Sequence, residues 1–190
     1  MSTLSSDLER ALRRLKPHKQ RRQLKPRKES ELSFLDASSE KPPSFLYDTT
    51  VYVDILQGRF PIVLEAMLRA TDAWHSTVAE NELASACALL DPAHANTPDV
   101  IKRIIAIIDR MPQHRMIVPD REIWRDAGLL TGTIARLQGT PKQDRRRILN
   151  DALIFATARK NGHTVLTRNV VDFDFLHQLD ASGRVMFYRV

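Results

Sequence analysis

Four carboxylates stand in settings that suit one shared chemical task. Asp48 follows the apolar run Phe45-Leu46-Tyr47 and precedes Thr49-Thr50. Glu82 lies in Thr77-Val78-Ala79-Glu80-Asn81-Glu82-Leu83, Asp151 in Asn150-Asp151-Ala152-Leu153-Ile154, and Asp172 in Thr167-Arg168-Asn169-Val170-Val171-Asp172-Phe173. Asp48 and Asp172 adjoin short apolar runs that read as buried strands; Glu82 and Asp151 sit at the start or in the middle of helical segments. Carboxylates gathered from dispersed elements repel one another and raise each other's pKa unless a cation neutralises them. An oxygen-loving divalent ion, Mg²⁺ or Mn²⁺, is the simplest resident of such a cluster.

Asp151 is the most telling of the four. It is three residues from Ile148 and four from Phe155, on a helical stripe with apolar neighbours. A carboxylate there is costly to bury without a partner, which an ion, an arginine or a capping amide could supply. Glu80 is close in sequence to Glu82, but helical positions two apart do not share a face, so Glu82 is the candidate. Thr49 and Thr167 read either as turn hydroxyls bonding their own backbone or as groups that orient a carboxylate or a metal-bound water. Arg168 reads equally as a phosphate contact or as a neutraliser of the acids. Asp54, Asp144 and Asp174 read as surface or capping residues.

Several other chemistries lack their parts. The six histidines show no paired metal spacing, which argues against zinc. Six glycines in all, with no glycine-rich run, leave no phosphate loop. A nucleophile elbow is missing too. Cys87, the one cysteine, excludes an internal disulfide framework and fits a reducing cytoplasm. Its spacing from Leu83 and Leu90 makes it a buried structural thiol, not a nucleophile.

The elements that must position the acids alternate from Ser44 onward. Strands are expected at Ser44–Tyr47, Trp74–Ala79, Met116–Val118, Thr164–Thr167 and Val185–Val190. Helices are expected through Val51, Ile55 and Leu56, over Pro61–Ala70, over Glu80–Leu90, from Thr97 as N-cap with Pro98 first in the helix, from Asp120 through Leu137, and from Asp144 to Lys160. Asn161-Gly162 is a favoured left-handed ending for the last of these. Strands separated by helices imply right-handed crossovers and an α/β fold with a mainly parallel sheet flanked by helices. Asp48 and residues 168–172 then fall at one rim, at the carboxyl ends of strands, where open α/β sheets bind ligands.

A chain of 190 residues suits one domain with an appendage. Residues 1–43 form a basic N-terminal extension, flexible or partly helical, ahead of a domain over 44–190. The extension holds 11 Lys/Arg and 6 Asp/Glu, against 18 and 17 in the other 147 residues. Ten of the nineteen residues in Arg10–Lys28 are Lys or Arg and none is acidic. That run could track a phosphate backbone, meet an acidic partner, or serve only as a solvated arm. A short helix is expected over Asp7–Leu15, with prolines at 17, 26, 42 and 43 interrupting any longer one. Apolar runs such as Ile104–Ile108 are too short to span a membrane and no signal peptide is legible, so a soluble cytoplasmic protein is expected.

The acids and their surroundings resemble the PIN-domain nucleases, most closely the VapC-type ribonuclease toxins of VapBC toxin–antitoxin systems. Asn150–Ala158 followed by Gly162–Phe173 is similar to the family's third acid on its helix and fourth acid after a strand. Leu46–Val51 is similar to the first acid with its turn, and Glu82 to the acid that opens a helix. The resemblance covers roughly residues 44–190. It implies a PIN-like fold and a Mg²⁺- or Mn²⁺-dependent endoribonuclease in which Asp48, Asp151 and Asp172 hold the metal and Glu82 is a ligand or a base acting through water. It also implies an RNA substrate, an antitoxin partner, and a homodimer formed through the compact apolar face of Pro61–Ala70. There are departures. Thr50 stands where the family has Asn, Asp91–Gln113 looks like an added loop and helix, and members of the family tend to begin at the first strand. The alternative function is a nucleic-acid-binding or regulatory protein of the same fold without a toxin role. A receiver-type phosphotransfer domain also clusters acids at strand ends, but it needs a late lysine beside them, and the last here, Lys160, is at a helix end.

Overall fold

The structure, a computed structural model, describes residues 3–36, 44–69 and 71–190. Its centre is a five-stranded, wholly parallel sheet in the order β3-β2-β1-β4-β5. The strands are β1 (Ser44–Tyr47), β2 (Asp72–Ser76), β3 (Met116–Ile117), β4 (Thr164–Thr167) and β5 (Arg184–Phe187). Leu46 of β1 sits between Trp74 of β2 and Val165 of β4. All of β4 is buried, as is β1 after Ser44, because helices cover both faces of a parallel sheet. The strand order reverses between β1 and β4, so the crevice for a ligand lies beyond their carboxyl ends.

Helix α1 spans Thr3–Leu15. After β1 come α2 (Thr49–Leu56) and α3 (Ile62–Arg69), and after β2 come α4 (Thr77–Leu89) and α5 (Thr97–Ile108). Helices α6 (Arg121–Gln138) and α7 (Arg145–Asn161) precede β4, and α8 (Val170–Leu179) links β4 to β5. Residues 151–158 of α7 are buried without a break, which makes it the central helix of the core. Gly162 closes α7 at φ 75°, the left-handed position that Asn161-Gly162 predicts. Gly183 is required for packing, because a Cβ there would lie 2.3 Å from the Phe155 ring.

Several boundaries differ from the sequence expectation for local reasons. β2 ends at Ser76, not Ala79, because the Ser76 hydroxyl accepts from Val78 N at 3.2 Å and starts α4 early. Asn96, not Thr97, occupies the N-cap of α5, since the Thr97 hydroxyl donates to the Asp91 carbonyl at 2.5 Å. β5 stops at Phe187, after which Tyr188 N donates to Thr167 O at 3.1 Å. Asp120 does cap α6, accepting from Glu122 N and Ile123 N at 3.0 Å. Cys87 is only partly buried, against the core. Leu64 and Leu68 of α3 face the core while Ile62 is 83% exposed. Pro42, Pro43 and Ala70 lie outside the described residues.

The described part of the extension packs on the body. Ala11 and Leu15 of α1 are buried, and α1 lies on α6. Farther along, Leu35 N donates to Phe187 O at 2.7 Å and Phe187 N donates to Ser33 O at 2.8 Å. Residues 33–35 thereby cover the outer edge of β5, which would otherwise expose unpaired backbone groups. Among the described residues, no helix is long and apolar enough to cross a membrane.

Two acids expected at the surface or at caps are instead fully buried. Asp54 is 0% exposed and is held by Arg168 Nε at 2.7 Å, Tyr188 Oη at 2.7 Å and Arg59 Nη2 at 3.0 Å. Asp174, also 0% exposed, accepts from Arg27 Nε at 2.6 Å, Arg27 N at 2.9 Å and Gln178 Nε2 at 2.8 Å. Buried carboxylates need such partners, and Arg168 and Arg27 come from 114 and 147 residues away, beyond a local reading.

Candidate active site

A cleft of about 660 Å³ opens at the crevice between β1 and β4. Asp48, Glu82, Asp151, Arg147, Arg168 and Asn169 are among its lining residues, with Thr49 and Thr50. Each acid arrives on a different element. Asp48 is the N-cap of α2, directly after β1. Glu82 lies in the second turn of α4, because that helix begins at Thr77. Asp151 sits in the second turn of α7, and Asp172 in the first turn of α8. The strand order and two crossovers bring them to one rim.

Threonines and asparagines hold the carboxylates in place. Thr50 Oγ1 and Thr167 Oγ1 each donate to Asp48 Oδ2 at 2.7 Å. Thr49 Oγ1 donates to Glu82 Oε2, and Asn150 Nδ2 donates to Glu82 Oε1 at 2.7 Å. Asn169 Nδ2 bridges two acids, reaching Asp172 Oδ2 at 2.8 Å and Asp151 Oδ2 at 3.3 Å. Thr49 therefore orients a carboxylate, while Thr167 meets both readings, since its Oγ1 also accepts from Asn169 N at 2.9 Å. Arg168, also left open, is tied to Asp54 while it lines the cleft.

The electrostatics are unbalanced. Asp151 is only 6% exposed; burial first, then the charges of Asp48, Asp172 and Glu82, push its carboxyl well above the ordinary carboxylate range. Arg147 acts in the opposite direction but more weakly, and its guanidinium pairs with Asp172 at the rim. Asp48, 2% exposed, is likewise raised, chiefly by burial, against the lowering effect of its threonine hydrogen bonds. The acids that a cation would have to serve are thus close enough to repel.

The donor set fits a hard divalent ion, since it offers carboxylate oxygens from several elements and a buried Asp151 whose one hydrogen bond among the described residues is a long amide contact. Among the described residues no three His, Cys, Asp or Glu side chains stand as a ready-made ligand set, so side-chain adjustment would accompany binding. Lys160, the lysine a receiver-type site would need, bonds Asp120 and Glu122 at 2.6 Å and does not line the cleft.

Three residues at the site escaped sequence reasoning: Arg147 and Asn169 in the cleft, and Asn150 beside it. Arg147 had a detectable signal. The run Arg145-Arg146-Arg147 places cations at the start of α7, the end of a helix that disfavours them, which calls for a local acid or a ligand. Asn169 is an N-cap of ordinary type, with Oδ1 accepting from Asp172 N at 3.5 Å, so nothing in sequence marked its second role.

No protein-family profile matches the sequence, and no curated protein matches it. Solved structures do. VapBC2 from Rickettsia felis, bound to a promoter DNA fragment, aligns with 76% of this chain and 98% of its own at 15% identity and a TM-score of 0.54. FitAcB from Neisseria gonorrhoeae aligns over 76% and 96% at 21% identity, again with a TM-score of 0.54. VapBC-5 from Mycobacterium tuberculosis, of the VapBC family of toxin–antitoxin systems, aligns over 78% and 100% at 19% identity and a TM-score of 0.50. The chain has the PIN-like fold that its motifs suggested.

Proposed function

We propose that this protein is a metal-dependent endoribonuclease that hydrolyses RNA phosphodiester bonds, and that it is the toxin of a toxin–antitoxin pair. The convergence of Asp48, Glu82 and Asp151 in one cleft, with Asp172 joined to Asp151 through Asn169 and Asp151 buried among the other acids, carries the reading. Asp48, Asp151 and Asp172 would hold Mg²⁺ or Mn²⁺, with Glu82 as a further ligand or as a base acting through water. When bound, the ion supplies an activated water and offsets charge on the phosphate.

The chain's own groups do the positioning. Thr50 and Thr167 fix Asp48, Thr49 and Asn150 fix Glu82, and Asn169 couples Asp151 to Asp172. Arg147 and Arg168 line the cleft and supply cationic donors for an RNA phosphate. The toxin role and an antitoxin partner are supported by the shared fold with VapBC proteins. A homodimer through the α3 face is proposed with them, supported by exposed Ile62, and light scattering at tens of micromolar protein would read a dimer mass.

Cleavage of single-stranded RNA tests the activity. The wild type should cut in Mg²⁺ or Mn²⁺ and stop in EDTA, and Asp48→Asn should lose that activity while keeping its fold. RNA bound but never cut under these conditions would leave the binding or regulatory alternative and end the nuclease reading.

A further inference from the structure

Within the basic run of the extension, Arg10 and Arg13 pair with Asp7 and Glu9 of their own helix, and two further groups of cations stand apart. Arg14 and Arg27 are consumed by buried acids: Arg14 Nη2 lies 2.6 Å from Asp126, and Arg27 Nε lies 2.6 Å from Asp174. Between them, Lys19, Arg21, Arg22 and Lys25 are exposed, and none has an ion pair among the described residues.

The backbone that carries these four is fastened down. Arg136 donates to Gln20 O at 3.0 Å and to Pro17 O at 2.8 Å. Gln138 Nε2 donates to Leu24 O at 2.9 Å, and Gln178 Nε2 donates to Lys25 O at 3.0 Å. Three side chains of α6 and α8 thus bind carbonyls of one strap, leaving its cationic side chains outward around a depression of about 880 Å³ lined by residues 19–25 and Gln178. From residue 20 to residue 28 the strap has no helix.

We propose that this strap is a docking surface for a nucleic-acid phosphate backbone, contacted by Lys19, Arg21, Arg22 and Lys25. A solvated face kept only for solubility needs no anchored backbone. A protein partner would call for aromatic or apolar anchors at the centre of the patch. Here residues 19–25 offer Lys, Gln, Arg, Arg, Gln, half-buried Leu24 and Lys. Unpaired cations on a pre-ordered backbone, without apolar anchors, match a polyanion read through its charge alone. The strap needs no metal and no cleavage, so it stands or falls apart from the proposed nuclease activity.

Deleting residues 1–43 is a poor test, because it also removes Leu15 and Leu35 from the core and Arg14 and Arg27 from buried acids. The better probe replaces all four exposed cations with Gln. In EDTA, a labelled single-stranded 20-mer RNA, the same-sequence DNA and polyglutamate are titrated against both proteins over a range of salt. For the quadruple variant, about 0.7 per lost phosphate contact makes the log–log salt slope roughly 3 shallower, with RNA binding about tenfold or more weaker at low salt. Its thermal unfolding should match the parent, and if it does not, the pair Arg21→Gln with Arg22→Gln should shift the slope by roughly half as much. Equal losses for RNA and DNA define a backbone surface; loss for one alone names its source. An unchanged slope in a folded variant overturns the proposal, as does polyglutamate binding that equals RNA binding and is lost with it.

Discussion

Two clusters of buried carboxylates in this molecule differ in one respect, the supply of fixed positive charge. Asp126 and Asp180, 1% and 5% exposed, face Arg14 and Arg159, two acids against two guanidinium groups. In the cleft, Asp48 and Asp151 are as deeply buried, and with Glu82 and Asp172 they face chiefly Arg147, which sits at the rim and is 63% exposed. The first cluster balances its charges and fastens α1 to α6, α7 and the end of α8, although Arg14 Nε, Asp126 Oδ1, Arg159 Nε and Asp180 Oδ2 lack hydrogen-bond partners among the described residues. The second is left with excess negative charge at the carboxyl-end rim, the place where open α/β sheets in general take ligands. Charge balance, more than burial, separates acids that hold the fold from acids available for chemistry.

Breaking the balanced cluster should give the largest effect. Asp126→Asn strands Arg14 and Arg159 beside Asp180 alone, and removing one partner of a buried network costs about 3–5 kcal/mol. Denaturant unfolding reads that loss, and a variant as stable as the parent would show the arginines to be solvent-screened. Tyr188→Phe is the milder version at Asp54, where Arg168 and Arg59 remain. Loss of that hydrogen bond to a charged group should cost about 1.5–3 kcal/mol.

The unbalanced cluster should declare itself in pH dependence. Asp151 titrates above its unfolded value, so between the two values the native chain keeps a proton that the unfolded chain has released. Stability of the metal-free protein therefore falls as pH rises through that window from the ordinary carboxylate value upward, by at most about 1.4 kcal/mol per pH unit for one proton. Asp151→Asn removes the proton and should flatten the slope by the difference. Parallel curves would place Asp151 among the compensated acids.

The contrast also explains what could be read from the sequence. β1 and β4 were legible to the residue because their apolar runs are buried on both faces, and α7 was legible through its periodicity and its Asn161-Gly162 end. Asp48 and Asp172 stood out as candidates because each adjoins such a run, and Glu82 and Asp151 because they fall among apolar residues in helical segments. Asp54 and Asp174 were not, because the arginines that bury them are remote in sequence. For the same reason the docking of residues 3–36 was not visible: Arg14, Arg27 and Leu35 look like any solvated arm until Asp126, Asp174 and Phe187 are placed opposite them. Asn150 and Asn169 stayed hidden because an amide beside a helical acid looks like an ordinary cap.

Unfolding of Asp151→Asn with and without Mn²⁺ tests the charge imbalance most directly. In EDTA the variant should melt at or above the wild-type temperature, because one member of a repelling group is neutral. On adding Mn²⁺ the wild type should rise in melting temperature while the variant barely moves, because a ligand stabilises only the state that binds it. A variant that melts well below the wild type in EDTA, yet is still stabilised by Mn²⁺ as the wild type is, would contradict the account and make Asp151 a structural acid.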